Sequence, residues 1–323
     1  GASGSCPSVF LWGPLTKPHN KHSGPPLRSK QSKANIMPKP LKEGDCIGIA
    51  APSSPFDKNQ FKHGVTLLKK LGFQVWHRDD IFSQERYLAG SDQRRAEELT
   101  ELFTKKDVKA IMFARGGYGS QRIIPYLKPE VLKKHKKPVI GFSDVTALLA
   151  FLKQSADMPT FYGPVLTQLG NNPTERTALS LKQNLTQKET PPLHFKGCHI
   201  LKEGKAKGIL VGGCLSMITS SIGTSYELQT DNSILFFEDT GEKVYALDRM
   251  LTQLKNAGKL KGVKGIIVGS LEPKEKEVHS IDDMLKDIFK DFEGPIVTHF
   301  PAGHTNDFVT LPLGVEVCLD TNQ

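Results

Sequence analysis

"KKPVIGFSDVTALLAFL", residues 136–152, holds a strand, a turn and a helix in seventeen residues. Pro138–Phe142 is a short apolar run, the pattern of a buried strand, and Val145–Leu152 carries apolar residues at helical spacing. Gly141, Phe142, Ser143 and Asp144 are left to make the turn, so a serine hydroxyl stands at the hinge between a buried strand and a helix. A strand that feeds directly into a helix is the repeating unit of a parallel sheet, because a parallel neighbour is reached only by a crossover.

The same alternation runs outward from this stretch. Upstream, "KEGDCIGIAAPSSPF" (42–56) reads as a strand entering a Pro/Ser-rich turn, and Asp57–Leu71 as a helix closed by Gly72. "FQVW" (73–76) is a second strand, Ser91 caps a helix running to Thr104, and "KAIMFAR" (109–115) is a third strand, followed by the turn and helix of "GGYGSQRIIPYL" (116–127). Downstream, 161–193 breaks the rhythm with turn residues around one polar helix and reads as a crossover between domains. Four strand-like runs follow: "AKGILVGG" (206–213), "NSILFFEDT" (232–240), "VKGIIVGS" (263–270) and "GPIVTHFPAGH" (294–304). Helical stretches separate them, and "DFVTLPLGVEVCLD" (307–320) alternates like a closing hairpin. The implied fold class is α/β with a parallel sheet covered on both faces, divided into an extension (1–40), an N-terminal domain (41–163), a linker (164–196) and a C-terminal domain (197–323).

Composition excludes several classes of function. At 323 residues, 38% hydrophobic and 24% charged, the chain has the make-up of an ordinary globular protein and no apolar run long enough for a membrane-spanning helix. The net charge of +9 suggests nucleic acid until its distribution is read. Six of the 43 basic residues (Lys17, Lys21, Arg28, Lys30, Lys33 and Lys39) lie in residues 1–40 with no acid among them, leaving 37 basic against 34 acidic residues elsewhere. The excess is a tail, rich in Pro, Gly and Ser, without helical or strand period, and read as disordered: a targeting leader or a dispensable extension. Cys6, Cys46, Cys198, Cys214 and Cys318 are scattered and never spaced C-x-x-C, which speaks against a disulfide framework and a cysteine-built zinc site.

Several candidates for chemistry fall at the C-terminal ends of predicted strands, where open α/β sheets assemble their sites. At Ser143 the hydroxyl is held out of the core beside the first free N–H groups of a helix, which suit an oxyanion; an ordinary N-cap serine would look the same. Glu238 closes the apolar run Ile234–Phe237 and is either the partner of a histidine or a surface carboxylate. His304, in "PAGHTNDFVTLPLG", has the side chain best suited to take a hydroxyl proton near neutral pH, although a lone loop histidine is commonplace. "ARGGYG" (114–119) lets the backbone approach a ligand closely or simply turns tightly, and it matches neither a phosphate loop nor a dinucleotide fingerprint.

Taken together and in order, "IGIAAPSSP", "ARGGYGSQRIIPYL", "VIGFSDVTALL", "FYGPV", "GGCLSMITSSIGT", "LFFEDTGEKVYALDRMLTQL" and "GHTNDFVTLPLG" resemble the serine LD-carboxypeptidases and the related microcin-immunity peptidases over roughly 41–319. The resemblance implies a Rossmann-like, three-layer N-terminal domain and a smaller C-terminal β/α domain, with Ser143 as nucleophile, His304 as general base and Glu238 as its orienting partner. It draws oxyanion donors from the N–H groups of Gly117 and Asp144, and needs neither metal nor organic cofactor. The implied substrate is a murein tetrapeptide that loses its terminal D-alanine, and the implied state is a homodimer. Murein recycling implies a cytoplasmic site, or the periplasm if the extension is a processed leader. Arg115 and Arg249 are candidates for the substrate's carboxylate because a guanidinium binds one bidentately, or are structural ion-pair partners instead. Cys214 stands where relatives often carry Asn. The microcin-immunity branch stacks nucleotides on a tryptophan-bearing loop, whereas the only tryptophans here, Trp12 and Trp76, precede the serine, which favours the cell-wall branch. Cleavage of aminoacyl-nucleotide conjugates and non-catalytic muropeptide binding are the alternative readings.

Overall fold

A computed structural model describes residues 8–12, 37–188, 193–273 and 278–322. Its strands, in chain order, are β1 (Ser8–Trp12), β2 (Cys46–Ala50), β3 (Gln74–Trp76), β4 (Val108–Phe113), β5 (Val139–Gly141), β6 (Thr160–Tyr162), β7 (Leu193–Lys196), β8 (His199–Lys202), β9 (Lys205–Cys214), β10 (Ser233–Thr240), β11 (Val263–Glu272), β12 (Ile296–Thr298), β13 (Leu311–Leu313) and β14 (Glu316–Asp320). They form two sheets, ordered β13-β6-β5-β4-β2-β3 and β7-β1-β14-β9-β10-β11-β12-β8. Within the first, β2 to β6 pair in parallel; within the second, β9 to β12 do. The architecture is therefore two α/β domains, each with a parallel centre.

Local sequence accounts for the helices that cover these sheets. Asp57 accepts from the Gln60 N–H and opens Lys58–Lys70, while two lysines complement the helix dipole at its other end. Ser91 accepts from the Arg94 N–H and opens Asp92–Thr104, which buries Ala96, Leu99, Leu102 and Phe103 against the sheet. The polar helix of the crossover, Glu175–Thr186, buries Leu181 and Leu185 in the same core as Ile47, Ile49 and Phe61, so it packs on the first domain. Among the described residues no helix is long and apolar enough to cross a membrane.

Two expectations are corrected. The C-terminal stretch is not a hairpin: β13 pairs antiparallel with β6 in the first sheet, and β14 pairs with β9 in the second. Gly314, at φ +82°, makes the bend that redirects the chain from one sheet to the other, a conformation glycine reaches without strain. The tail expected to be disordered contains β1, which lies between β14 and β7; its Ser-Val-Phe-Leu-Trp sequence is the one β-prone run in a Pro/Gly-rich region. The rest of that expectation, on 1–7 and 13–36, lies outside the described residues. Cys46, Cys198, Cys214 and Cys318 are free thiols.

Candidate active site

The C-terminal ends of both parallel centres face one cleft of about 850 Å³, lined by Arg115, Gly116, Gly117, Ser143, Gln168 and His304 among others. Strand β5 delivers Ser143, β4 the glycine turn, β10 Glu238, and the loop after β12 His304. His304 Nε2 lies 3.1 Å from Ser143 Oγ, and its Nδ1 lies 2.7 Å from Glu238 Oε2. Glu238 Oε2 also accepts from the His304 backbone N–H at 3.2 Å, so one carboxylate oxygen fixes both the ring and its backbone. Three residues spread over 161 positions of sequence thus form one hydrogen-bonded chain from a cleft hydroxyl to a fully buried carboxylate.

The backbone at Ser143 is strained. Its φ of +65° is costly for any residue with a Cβ, by roughly 1–3 kcal/mol, and such strain gathers where function demands a particular side-chain direction. A Cβ on Gly116 would sit 3.0 Å from Ser143 Cβ and 3.3 Å from Oγ, so a side chain there would crowd the hydroxyl. On the opposite wall Gly303, at φ +114°, runs against Glu238; a side chain there would collide with its carboxylate.

A second layer of polar residues holds the turn. The buried Asp144 carboxylate accepts from Ser53 Oγ at 2.6 Å and from the Ser120 N–H at 2.9 Å, and Ser120 Oγ returns a bond to the Asp144 carbonyl. Ser54 Oγ accepts from the Tyr118 N–H, and the Ser54 N–H donates to the Gly116 carbonyl. Fully buried Arg95 donates to the carbonyls of Pro52 and Gly119, tying the turn after β2 to the glycine turn after β4. Tyr162 donates to Glu238 Oε1 at 2.5 Å and accepts from the Ser143 N–H at 3.2 Å, so it joins the first domain's serine to the second domain's carboxylate.

Electrostatics follow burial and pairing. Burial alone would depress the His304 pKa, but the hydrogen bond and charge of Glu238, with Asp239 behind it, outweigh this and hold it above the ordinary 6.5. Burial, with the Glu238 charge, pushes the Tyr162 phenol well above its usual range, so Tyr162 remains a neutral donor. Burial raises the Asp144 carboxyl and outweighs the bonds from Ser53 and Ser120. Cys214 pairs with Glu238 across the sheet; burial and that charge push its thiol up and keep it neutral.

Of the residues singled out in the sequence, Ser143, Glu238, His304, Gly117 and Arg115 meet at this cleft, and Asp144 supports it from below. Arg115 also donates to the Pro55 carbonyl. Arg249 does not reach the cleft: it lies exposed on the helix Val244–Asn256, 5.7 Å from the Tyr245 ring. Sequence reasoning missed Tyr162, Ser53, Ser54, Arg95 and Gln168. Only the "PSSP" turn carried a signal for any of them, since serines after a buried strand are placed to bond loop backbone.

A strained serine, a carboxylate-held histidine and two parallel sheets opening on one cleft define the class as a two-domain α/β protein with a hydrolase-like site. The chain belongs to the LD-carboxypeptidase family of peptidases: the family's N-terminal domain matches residues 47–163 and its C-terminal domain residues 207–319. A probable murein peptide carboxypeptidase of Bacillus subtilis is 36% identical over 294 residues, covering 89% of this chain and 92% of that one. The solved structure of a muramoyltetrapeptide carboxypeptidase from Oxalobacter formigenes superposes with a TM-score of 0.74 at 26% identity, covering 85% of this chain and 98% of the other. The structure of the protein MccF in complex with glutamyl sulfamoyl guanosine superposes with a TM-score of 0.80 at 27% identity, covering 89% of this chain and 99% of the other.

Proposed function

We propose that this peptidase is a serine LD-carboxypeptidase that releases terminal D-alanine from murein tetrapeptides. The observation that carries the reading is the bridge made by His304, 3.1 Å from Ser143 Oγ and 2.7 Å from Glu238. His304 Nε2 accepts the Ser143 proton as Oγ attacks the scissile carbonyl, while Glu238 stabilises the imidazolium that forms. The backbone N–H groups of Gly117 and Asp144 take the oxyanion of the tetrahedral intermediate. The imidazolium then protonates the departing amine of D-alanine, and a water activated by the same histidine hydrolyses the acyl-enzyme. Arg115 on the cleft wall binds the substrate's free carboxylate. The murein-directed names of two relatives support this substrate, and a homodimer active in murein recycling in the cytoplasm completes the reading.

The likeness to MccF supports a second substrate class, the aminoacyl-nucleotide conjugates. Against it, Trp76 lies on β3 beneath Lys105, 4.6 Å from its ring, and is not among the residues lining the cleft. The test is incubation of the purified chain with L,D- and D,D-linked tetrapeptides and with an aminoacyl sulfamoyl nucleoside. Free D-alanine from the L,D-peptide alone is the expected result; turnover of the nucleoside conjugate alone transfers the protein to the second class.

A further inference from the structure

Away from the cleft serine, a second group of chemically capable side chains meets at the edge of the second sheet. His199 opens the edge strand β8, His299 follows β12, and Asp282 sits in the first turn of the helix Ile281–Ile288. Thr298 and His199 are register partners in the antiparallel β12–β8 pair, so the two histidines emerge side by side. Their ring centroids are 4.2 Å apart, and His199 Nδ1 lies 3.7 Å from Asp282 Oδ2. One ligand atom from each of the three residues lies within 4.8 Å of the others.

We propose that His199, Asp282 and His299 form a site for a divalent transition metal of the zinc class. Two imidazole nitrogens and one carboxylate oxygen are a donor set that zinc accepts, with bonds of about 2.0–2.2 Å. Tetrahedral bonds of that length hold ligand atoms roughly 3.3 Å apart. The 3.7 Å pair is therefore nearly in place. Closing the rest needs at most about 1.5 Å of approach by side chains that are exposed or half-buried. His299 carries two marks of a positioned ligand. Its Nδ1 lies 2.9 Å from Thr298 Oγ1, a bond that fixes the ring and leaves the other nitrogen for a metal. Its backbone is held at φ +58°, with its carbonyl taking the Cys198 thiol at 3.9 Å.

The place gives the metal a structural task. Asp282 and His299 line a cavity of about 350 Å³ that shares Glu272 and Thr305 with the cleft. A metal here staples the helix Ile281–Ile288 to the β12–β8 edge, directly behind the loop that carries His304. It takes no part in the reaction.

The test uses the full, untagged chain and Zn²⁺ alone, titrated calorimetrically, with Co²⁺ as a spectroscopic probe. The expected result is one tight equivalent of Zn²⁺, a Co²⁺ visible band, and a rise in Tm with the metal. His199→Ala and His299→Ala each weaken that equivalent by roughly tenfold or more and abolish the band, while His63→Ala, on the exposed face of Lys58–Lys70, leaves both unchanged. Metal-free Tm values close to wild type establish that the variants fold. Binding that survives both histidine substitutions, or no binding at submillimolar Zn²⁺, overturns the proposal.

Discussion

The two walls of the cleft are held by different means. On the serine wall, Phe142, Asp144, Val145 and Thr146 are all buried, and the turn is anchored by the Asp144–Ser53–Ser120 bonds inside the first domain. On the histidine wall, Thr305, Asn306 and Asp307 are half-buried or exposed, and the loop is gripped from outside by the crossover. Gln168 donates to the Thr305 carbonyl, the Thr174 N–H and Thr177 hydroxyl to the Asn306 carbonyl, and Arg176 to the Asp307 carboxylate. A slip on the first wall breaks buried polar bonds within one domain and costs stability; a slip on the second breaks largely part-buried or exposed bonds to the crossover and costs alignment.

The largest effects test whether the walls act as one unit. Ser143→Ala and His304→Ala should each lower tetrapeptide turnover by about 10⁴-fold or more, and the double variant should be no worse than either single one. Ser143→Gly separates chemistry from strain: it abolishes turnover equally but relieves the positive φ, so unfolding in urea should show no loss of stability and a gain of up to about 1 kcal/mol. Additive losses in the double variant would mean that serine and histidine do not work together.

Tyr162→Phe removes a hydroxyl that bonds to both walls, to the Ser143 N–H and to Glu238. Glu238 Oε1 loses its donor in a site without water access, so stability should fall by about 1–3 kcal/mol by urea denaturation. Turnover should fall by up to about 10² as Ser143 and His304 lose register. Full activity with lowered stability would make Tyr162 a structural residue only.

The pH response of His304 sets activity against stability. Its folded pKa is raised above 6.5, so as pH falls through that folded value the base is protonated and kcat/KM should drop about tenfold per unit. Stability runs the other way. The ion pair with Glu238 contributes fully below the unfolded value of about 6.5 and is lost as pH rises through the folded pKa. Tm of the wild type minus that of His304→Gln, followed from pH 6 to 9, should therefore shrink as turnover grows; a difference that grows with pH would reverse the sign of the shift.

What was legible in the sequence divides along the same line. The first domain announced itself because its strands, caps and turns are local: Ser91 caps the helix its position suggests, and Asp57, read as the first residue of its helix, is the residue that caps it. Ser143, Glu238 and His304 were found as residues at strand ends, yet no spacing brings the last two to the first; only the pairing of two sheets across a cleft does. Tyr162 was hidden because "TFY" reads as three buried strand residues, and its hydroxyl matters only through Glu238, 76 positions on. The splitting of β13 from β14 was hidden for a related reason. Alternation specifies strands but not partners, and a single glycine decides which sheet receives each one.

The smallest effect sharpens the comparison most. Arg176 and Asp307 form a two-pronged ion pair at the outer edge of the histidine wall, roughly half exposed on both sides. Such a pair is worth at most about 1 kcal/mol, so Arg176→Ala should leave Tm nearly unchanged. Its Asp307 partner, however, lies three residues from His304 and is also held by Thr174, so loosening it frees the loop that aims the imidazole. The expected result is a few-fold lower kcat at unchanged KM, because substrate binding does not use the pair while proton transfer depends on its consequence. Arg176→Lys should restore part of the loss by keeping the charge without the fork. A rise in KM with kcat unchanged would instead place Arg176 among the groups that hold the substrate.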